Sequence, residues 1–332
     1  MIVGFHTNQI GERGTEVALY DYAIGNIAIL GNQSVIFAPS EKVRNVDVLK
    51  KFQEKFSVVL YESREDFYEK TKSYGIDVCY YIKSGENDGL VSPYCRNAVH
   101  AVFNCNDPHG DRYAYISRWL SKKASKNDQN YVPHIISIKK SSDSLRQNYD
   151  PNNTKKIFGC YGGEDSFNIW YATLLVILIA NLKSNFIFIF MNTRLRPKSR
   201  FLKSLLQRGL KRKNIVYLEA QVSDEEKSKF INTCDAMLHA RRRGESFGIA
   251  IGEFSVHQKP ILTCNNFLVR DRCHLDILGA DGNYYHGPLS LLFQLFKSVD
   301  EYGVSDVYQK EYNSAVVMKR FENIFLDFRS DT

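Results

Sequence analysis

Short runs of apolar, β-branched and aromatic residues alternate with stretches of helical periodicity along nearly the whole chain, and the alternation runs through twice. This order leaves few options, because strands separated by helices form parallel βαβ units. In the first pass strands are expected at 2–5, 34–38, 58–61, 78–82 and 98–103. A helix is expected over 15–30, and Ser63 with Asp66 reads as a further helix start. The second pass has strands at 157–161, 185–191, 215–218, 236–238, 261–263 and 283–285. It has a long apolar helix over 167–182 and another opened by Ser223, with Glu226 three residues on as a capping box. A polar passage, 139–156, containing SSDS and DPNN, separates the passes and reads as a linker. At 332 residues the chain exceeds one comfortable core. Two doubly wound α/β domains follow, 1–150 and 151–304. A last helical stretch over 305–325, apolar along one face through Val307, Tyr308, Tyr312, Val316, Phe321 and Phe325, ends the chain.

Charge and cysteine usage bound the class. The net charge of +7 is C-terminal in origin: residues 1–150 carry 19 basic and 18 acidic side chains, the remainder 25 and 19. Much of the excess lies between Arg194 and Lys213, where nine cations occur with no acid. That run reads either as a solvated helix face or as a patch for an anionic ligand or anionic lipid headgroups, a peripheral membrane contact. Seven cysteines are scattered singly with no CxxC pair, which points to a reduced, cytoplasmic chain. The first twenty residues lack the apolar core of a signal peptide, and the longest apolar run, 169–180, is too short to span a bilayer.

The segment carrying chemistry is 239–264, HARRRGESFGIAIGEFSVHQKPILTC. A strand runs into a loop holding Gly244 and Gly248, and a helix begins near Phe247 or Gly248. Strand, tight loop and helix N-terminus together offer free N–H groups and a positive dipole end to a phosphate. Glu245 precedes the helix and Glu253 lies inside it, on the order of 10 Å further along the axis at about 1.5 Å per residue.

Glu245, Phe247, Gly248 and Glu253, followed by Pro260-Ile261-Leu262, resemble the E-x-F-G-x4-E motif of the family 4 glycosyltransferases (glycosyl transferases group 1), which are retaining GT-B enzymes. The resemblance implies α/β architecture of the GT-B kind, two Rossmann-like domains facing a central cleft, with the last helix crossing back onto the N-terminal domain. It implies that Glu245 contacts the transferred sugar, that Phe247 and Gly248 contribute backbone toward phosphate or sugar, and that Glu253 grips the ribose. The glycine-rich loop NQIGERG is similar to the family's first loop, with Gly14 and Glu16 in its gly-x-glu arrangement. The stretch DRYAYISRWLSKKA resembles a late N-terminal strand, then Ser117, then a helix. HLDILGADG resembles the closing loop, with Asp276 for the more usual Glu.

Other positions depart from that pattern. The family's arginine and lysine after the first C-terminal strand are absent from GCYGGEDSFN. Gly162, Gly163 and Ser166 could instead offer donors at a helix start. Arg194 and Arg196 are the first substitutes as cations, with Arg241 to Arg243 next. Gln258-Lys259 replaces the usual Gly-Thr. His109, in the loop NDPHGD expected at a carboxyl strand end, could orient the acceptor or the departing phosphate, and His6 could line the same side. No metal site is expected: Cys264, Cys273 and His274 lack zinc spacing, and no D-x-D or GxGxxG signature occurs.

The expected activity is metal-independent transfer of a hexose-like sugar from a UDP- or GDP-sugar to a hydroxyl acceptor, on a glycan or a lipid, with retention and without a cofactor. The rival readings are a GT-B sugar-nucleotide epimerase or phosphorylase, or an inactive binding homologue. A nucleic-acid-binding protein using the 194–213 cations is a more distant alternative, since no nucleic-acid module is present.

Overall fold

The computed structural model describes residues 1–11 and 14–328, so Glu12 and Arg13 of the glycine-rich loop lie outside the described residues. The chain forms two compact units, 1–137 with 311–332, and 138–310.

The first unit is built on a six-stranded sheet: β1 (Ile2–Thr7), β2 (Gln33–Pro39), β3 (Ser57–Tyr61), β4 (Val78–Lys83), β5 (Arg96–Ala101) and β6 (Arg112–Tyr115). The order is β3-β2-β1-β4-β5-β6 and every pairing is parallel. The central strands are buried on both faces, as parallel strands covered by helices must be, and so read as continuous apolar runs. β6 lacks such a run, its RYAY being half polar. Ser117 caps the helix Arg118–Ser125 that follows, accepting from the Leu120 N–H at 3.2 Å. Ser63 caps the helix Arg64–Ser73 in the same way. The end of the chain belongs to this unit: Phe321 stacks on Phe5 and Tyr22, and Phe325 meets Tyr80 and His100 edge-on.

The single helix expected over 305–325 is broken. It is divided into Val307–Glu311, Ser314–Phe321 and a π turn over Glu322–Leu326. Asn313 causes the break by taking an extended conformation and accepting from the Val316 N–H, which starts a new helix.

The second unit has a sheet of the same design: β7 (Lys156–Tyr161), β8 (Phe186–Met191), β9 (Ile215–Leu218), β10 (Ala236–His239), β12 (Ile261–Cys264) and β14 (Asn283–Tyr285), in the order β14-β12-β10-β7-β8-β9. A two-stranded parallel piece joins β11 (Gly244–Glu245) to β13 (Asp271–Arg272). The passage expected as a linker is tied into this unit. Ser141 N–H bonds Ser228, Leu145 N–H bonds Thr233, and Arg146 forms an ion pair with Asp235 at 2.6 Å. The expected capping box does not form, because Ser223 occupies the N-cap position of Asp224–Thr233 without a side-chain capping bond.

Candidate functional site

In the second unit the residues singled out from sequence converge on the loops that leave the carboxyl ends of β7, β8, β10 and β12. β10 is buried throughout and delivers His239, whose carbonyl is held by the Tyr285 hydroxyl at 2.8 Å. The chain then turns through Ala240–Arg243 to Gly244, which has φ +72° and pairs with Asp271 in the small β11–β13 ladder. Glu245 is therefore presented from clamped backbone. Gly248, with φ +97°, is the N-cap of the helix Ile249–Val256. A left-handed conformation there suits glycine, since a Cβ clashes with the adjoining carbonyl. Phe247 is buried against the Tyr308 ring, and its carbonyl accepts from the Tyr308 hydroxyl.

The Glu245 carboxylate is bound on both oxygens, by Arg241 at 2.7 Å and by His239 Nε2 at 3.3 Å. Burial alone would raise its pKa, but the His239 hydrogen bond and the Arg241 charge outweigh it and bring the group down to about 2. A carboxylate only accepts, so His239 Nε2 carries its hydrogen. Its other nitrogen meets Thr263 Oγ1 at 2.8 Å, and the same hydroxyl meets His274 Nε2 at 3.2 Å. His274 is fully buried, which with the neighbouring His239 lowers its pKa to about 3 and keeps its ring neutral. Thr263→Val keeps the shape and removes the hydroxyl shared by the two rings. It is expected to cost about 1–3 kcal/mol in denaturant melts, the penalty for stranding buried polar atoms; a change below ~0.5 kcal/mol would show that this bridge carries no energy.

Glu253, the fifth residue of its helix, is not a solvated helix side chain. It is 4% exposed and pairs with Lys227 Nζ at 3.1 Å, and Lys227 also reaches Asp224 at 3.1 Å. His257 Nδ1 meets the Glu253 carbonyl.

Gly162 and Gly163 follow β7, but not at a helix start. The helix expected from 167 begins at Trp170, because the Asn168 and Ile169 N–H groups are drawn to the Ala240 carbonyl, both at 3.0 Å. Asn168 Oδ1 in turn accepts from the Arg242 N–H at 2.7 Å. These bonds dock the glycine loop onto the loop that leads to Glu245. Arg194 and Arg196 also reach the glycine loop. Arg196 bridges Glu164 at 2.6 Å and Asp165 at 2.9 Å, while Arg194 donates its N–H to the Glu164 carbonyl and its guanidinium to Glu219. The Arg196 pairs are more than half exposed. Exposed pairs of this kind are worth at most about 1 kcal/mol, so a phosphate could displace them.

The structure does not bring every candidate to this place. Gly14 and His109 belong to the first unit. Gly14 is the exposed first residue of the helix Gly14–Ala28, and Glu16 two residues on is buried and accepts from Gln9 and Thr15. The loop holding His109 leaves the carboxyl end of β5 as expected but returns to the amino end of β6. There Asp111 bonds Asn97 and Arg96, at the start of β5. His109 stands at the returning end, its ring against Tyr113 and its Nδ1 on the Asp107 carbonyl at 2.7 Å. His6 is a core residue, fully buried, with Nε2 on the Tyr61 hydroxyl at 2.8 Å; burial and the nearby Lys83 charge push its pKa down to about 3.

Sequence reasoning passed over Lys227, His239 and Thr263, and weighed His274 only as a metal ligand. The only signal for His239 is its place at the end of the strand before the motif.

No family model and no curated protein matches this sequence. Solved structures do match in fold. A glycosyltransferase from Rickettsia africae ESF-5 is 13% identical with TM-score 0.67, covering 100% of this chain and 99% of that one. Anabaena HepE in complex with UDP-glucose is 12% identical with TM-score 0.65, covering 98% and 95%. Sucrose-phosphate synthase from Thermosynechococcus elongatus is 11% identical with TM-score 0.67, covering both chains in full. The two six-stranded parallel sheets with their helices are the GT-B architecture that these glycosyltransferases share.

Proposed function

We propose that this chain, which has the GT-B fold of glycosyltransferases, transfers a sugar from a nucleoside-diphosphate sugar to a hydroxyl acceptor with retention of configuration. The observation that carries the reading is the segment from Glu245 to Glu253: a clamped strand, a left-handed Gly248 and a helix N-terminus with two acids, one at each end, on the carboxyl side of a parallel sheet. HepE, of the same fold, holds UDP-glucose in its crystal structure, and a donor of that class is assigned here.

In this reading the diphosphate lies at the start of the helix Ile249–Val256, where unpaired N–H groups and the helix dipole favour negative charge. Arg196 and Arg194 leave their acids to meet it, and Gly162 and Gly163 let the backbone of their loop come close. The charge that builds on the leaving phosphate is then met by the helix start and by these guanidinium groups once they have turned to it. Glu245, held ionised, positions the sugar and favours positive charge developing on its ring. Glu253 meets the ribose, with Lys227 holding its carboxylate in place. No step needs a metal ion, and the acceptor's proton passes to the departing phosphate oxygen. Arg196, closed on Glu164 and Asp165, also suits a homologue that binds the donor without transferring it, and such a protein would show no release of sugar to any acceptor.

Calorimetry with UDP and GDP tests the donor site. Glu253→Gln is expected to weaken binding of the preferred diphosphate about 10- to 100-fold, the worth of a charge-assisted hydrogen bond. Because Glu253 is buried beside Lys227, the variant also loses stability. Lys227→Met with Glu253→Gln removes both charges and separates the effects: binding stays weak while stability recovers in part. Wild-type affinity in both variants would remove Glu253 from the donor site.

A further inference from the structure

Three helices cover one face of the second sheet: Trp170–Leu182 in the middle, with Arg200–Lys211 and Pro288–Phe296 packed on it and into the same core. Their outer surface is unusual for a protein exposed to water. Neither Trp170–Leu182 nor Pro288–Phe296 contains a charged residue. Trp170, Leu182, Phe201, Leu289 and Phe293 are 69–80% exposed, and Leu174 and Leu178 continue the stripe half-buried between Trp170 and Leu182. Single exposed apolar side chains are ordinary; several on adjoining helices form a patch that marks an interaction.

The third helix supplies the charge. Arg200, Lys203, Arg208 and Lys211 point outward, and among the described residues no acid forms a salt bridge with them. This contrasts with Arg194 and Arg196, which are paired. The helices are joined at one end, where Arg212 donates to the Asn181 carbonyl and Asn181 to the Leu205 carbonyl. Cations and bare aromatics therefore share one face. That combination suits the headgroup boundary of an anionic membrane, where phosphates meet the cations and the rings enter the acyl edge. A second copy seated on the same face would instead bring like charges together. No helix among the described residues is long and apolar enough to cross a membrane, so the contact would be peripheral.

We propose that this three-helix face of the second unit docks on anionic lipid, with Leu289, Phe293 and Trp170 entering the interface and Lys203 and Arg208 meeting headgroup phosphates. The inference rests on surface chemistry alone and stands whether or not the donor site is assigned correctly.

The test is co-sedimentation of the full chain with vesicles of phosphatidylcholine alone or with about one-third phosphatidylglycerol. Binding is expected with the anionic vesicles, falling steeply with salt, since exposed charges are screened beyond a Debye length of about 10 Å at 0.1 M. Leu289→Ser with Phe293→Ser, and separately Lys203→Glu with Arg208→Glu, should each lower the partition coefficient about tenfold or more, while thermal melts stay near wild type because all four side chains are exposed. Absence of binding to anionic vesicles overturns the proposal, as does undiminished binding by both variants. Concentration-dependent self-association lost in Leu289→Ser/Phe293→Ser, without vesicle binding, would overturn it in favour of a second copy. An untouched donor affinity in all these variants keeps this result separate from the fate of the donor site.

Discussion

Glu245→Gln is expected to lower turnover of the intact sugar donor by about a hundredfold while leaving affinity for the bare nucleoside diphosphate within a factor of two. The scale is that of removing one preorganised group aimed at transition-state charge. The proposed partner of Glu245 is the sugar, so the diphosphate should not notice the change. The same variant has a signature in stability. A carboxyl with a folded-state pKa of about 2 and a free value near 4.5 stabilises the fold fully above about pH 4.5. That contribution is lost as pH falls toward 2, and by linkage it is worth at most about 3 kcal/mol. Glutamine has no such titration, so the difference between wild type and Glu245→Gln in urea melts should shrink between pH 5 and pH 2.5. Unchanged turnover with a pH-independent difference would mean that Glu245 neither acts on the sugar nor is held ionised by Arg241 and His239.

Gly244→Ala should be among the most damaging single substitutions in the second unit. An alanine Cβ at this position would lie 2.0 Å from the Asp271 carbonyl oxygen and 2.7 Å from Val269, at φ +72°. The nearer obstacle is backbone and the other is the methyl of a buried valine, so the β11–β13 ladder must open. Strain and lost pairing together should cost on the order of 3–5 kcal/mol, and activity should fall with it, because Glu245 is the next residue. Gly287→Ala is the control: its backbone is extended and no atom lies within 4 Å of the added carbon, so only alanine's poorer fit at a helix N-cap counts, about 1 kcal/mol. Equal melting of the two variants would refute the placement of Gly244.

Most strands were legible because parallel strands buried on both faces write themselves as continuous apolar runs, as in FIFIFM of β8. β6 was visible only through the serine that caps the next helix. The two-residue strands β11 and β13 leave no pattern, for their pairing depends on Gly244 meeting Asp271 across 27 positions. Helix ends were legible where a side chain caps locally, as at Ser63 and Ser117. They were misread where a distant carbonyl competed for the amides, as Ala240 does at Asn168 and Ile169. The break at Asn313 was hidden because the apolar face continues across it.

The motif's spacing and its place between strand and helix were properties of the sequence alone, since a strand, a glycine turn and a helix start are encoded over neighbouring residues. The surroundings of its acids were not. Whether Glu253 faced water or a cation depended on Lys227, on another helix, and the state of Glu245 depended on His239 and Arg241 closing around it while Thr263, on the next strand, tied His239 to His274. Lys227 meets Glu253 between two helices and Thr263 meets His239 between neighbouring strands, while Arg241 and His239, four and six residues from Glu245, reach it because the turn clamped at Gly244 brings them round; local propensity carries no information about these distances. Tertiary structure therefore decided the electrostatics of the site, and sequence decided where it would be found.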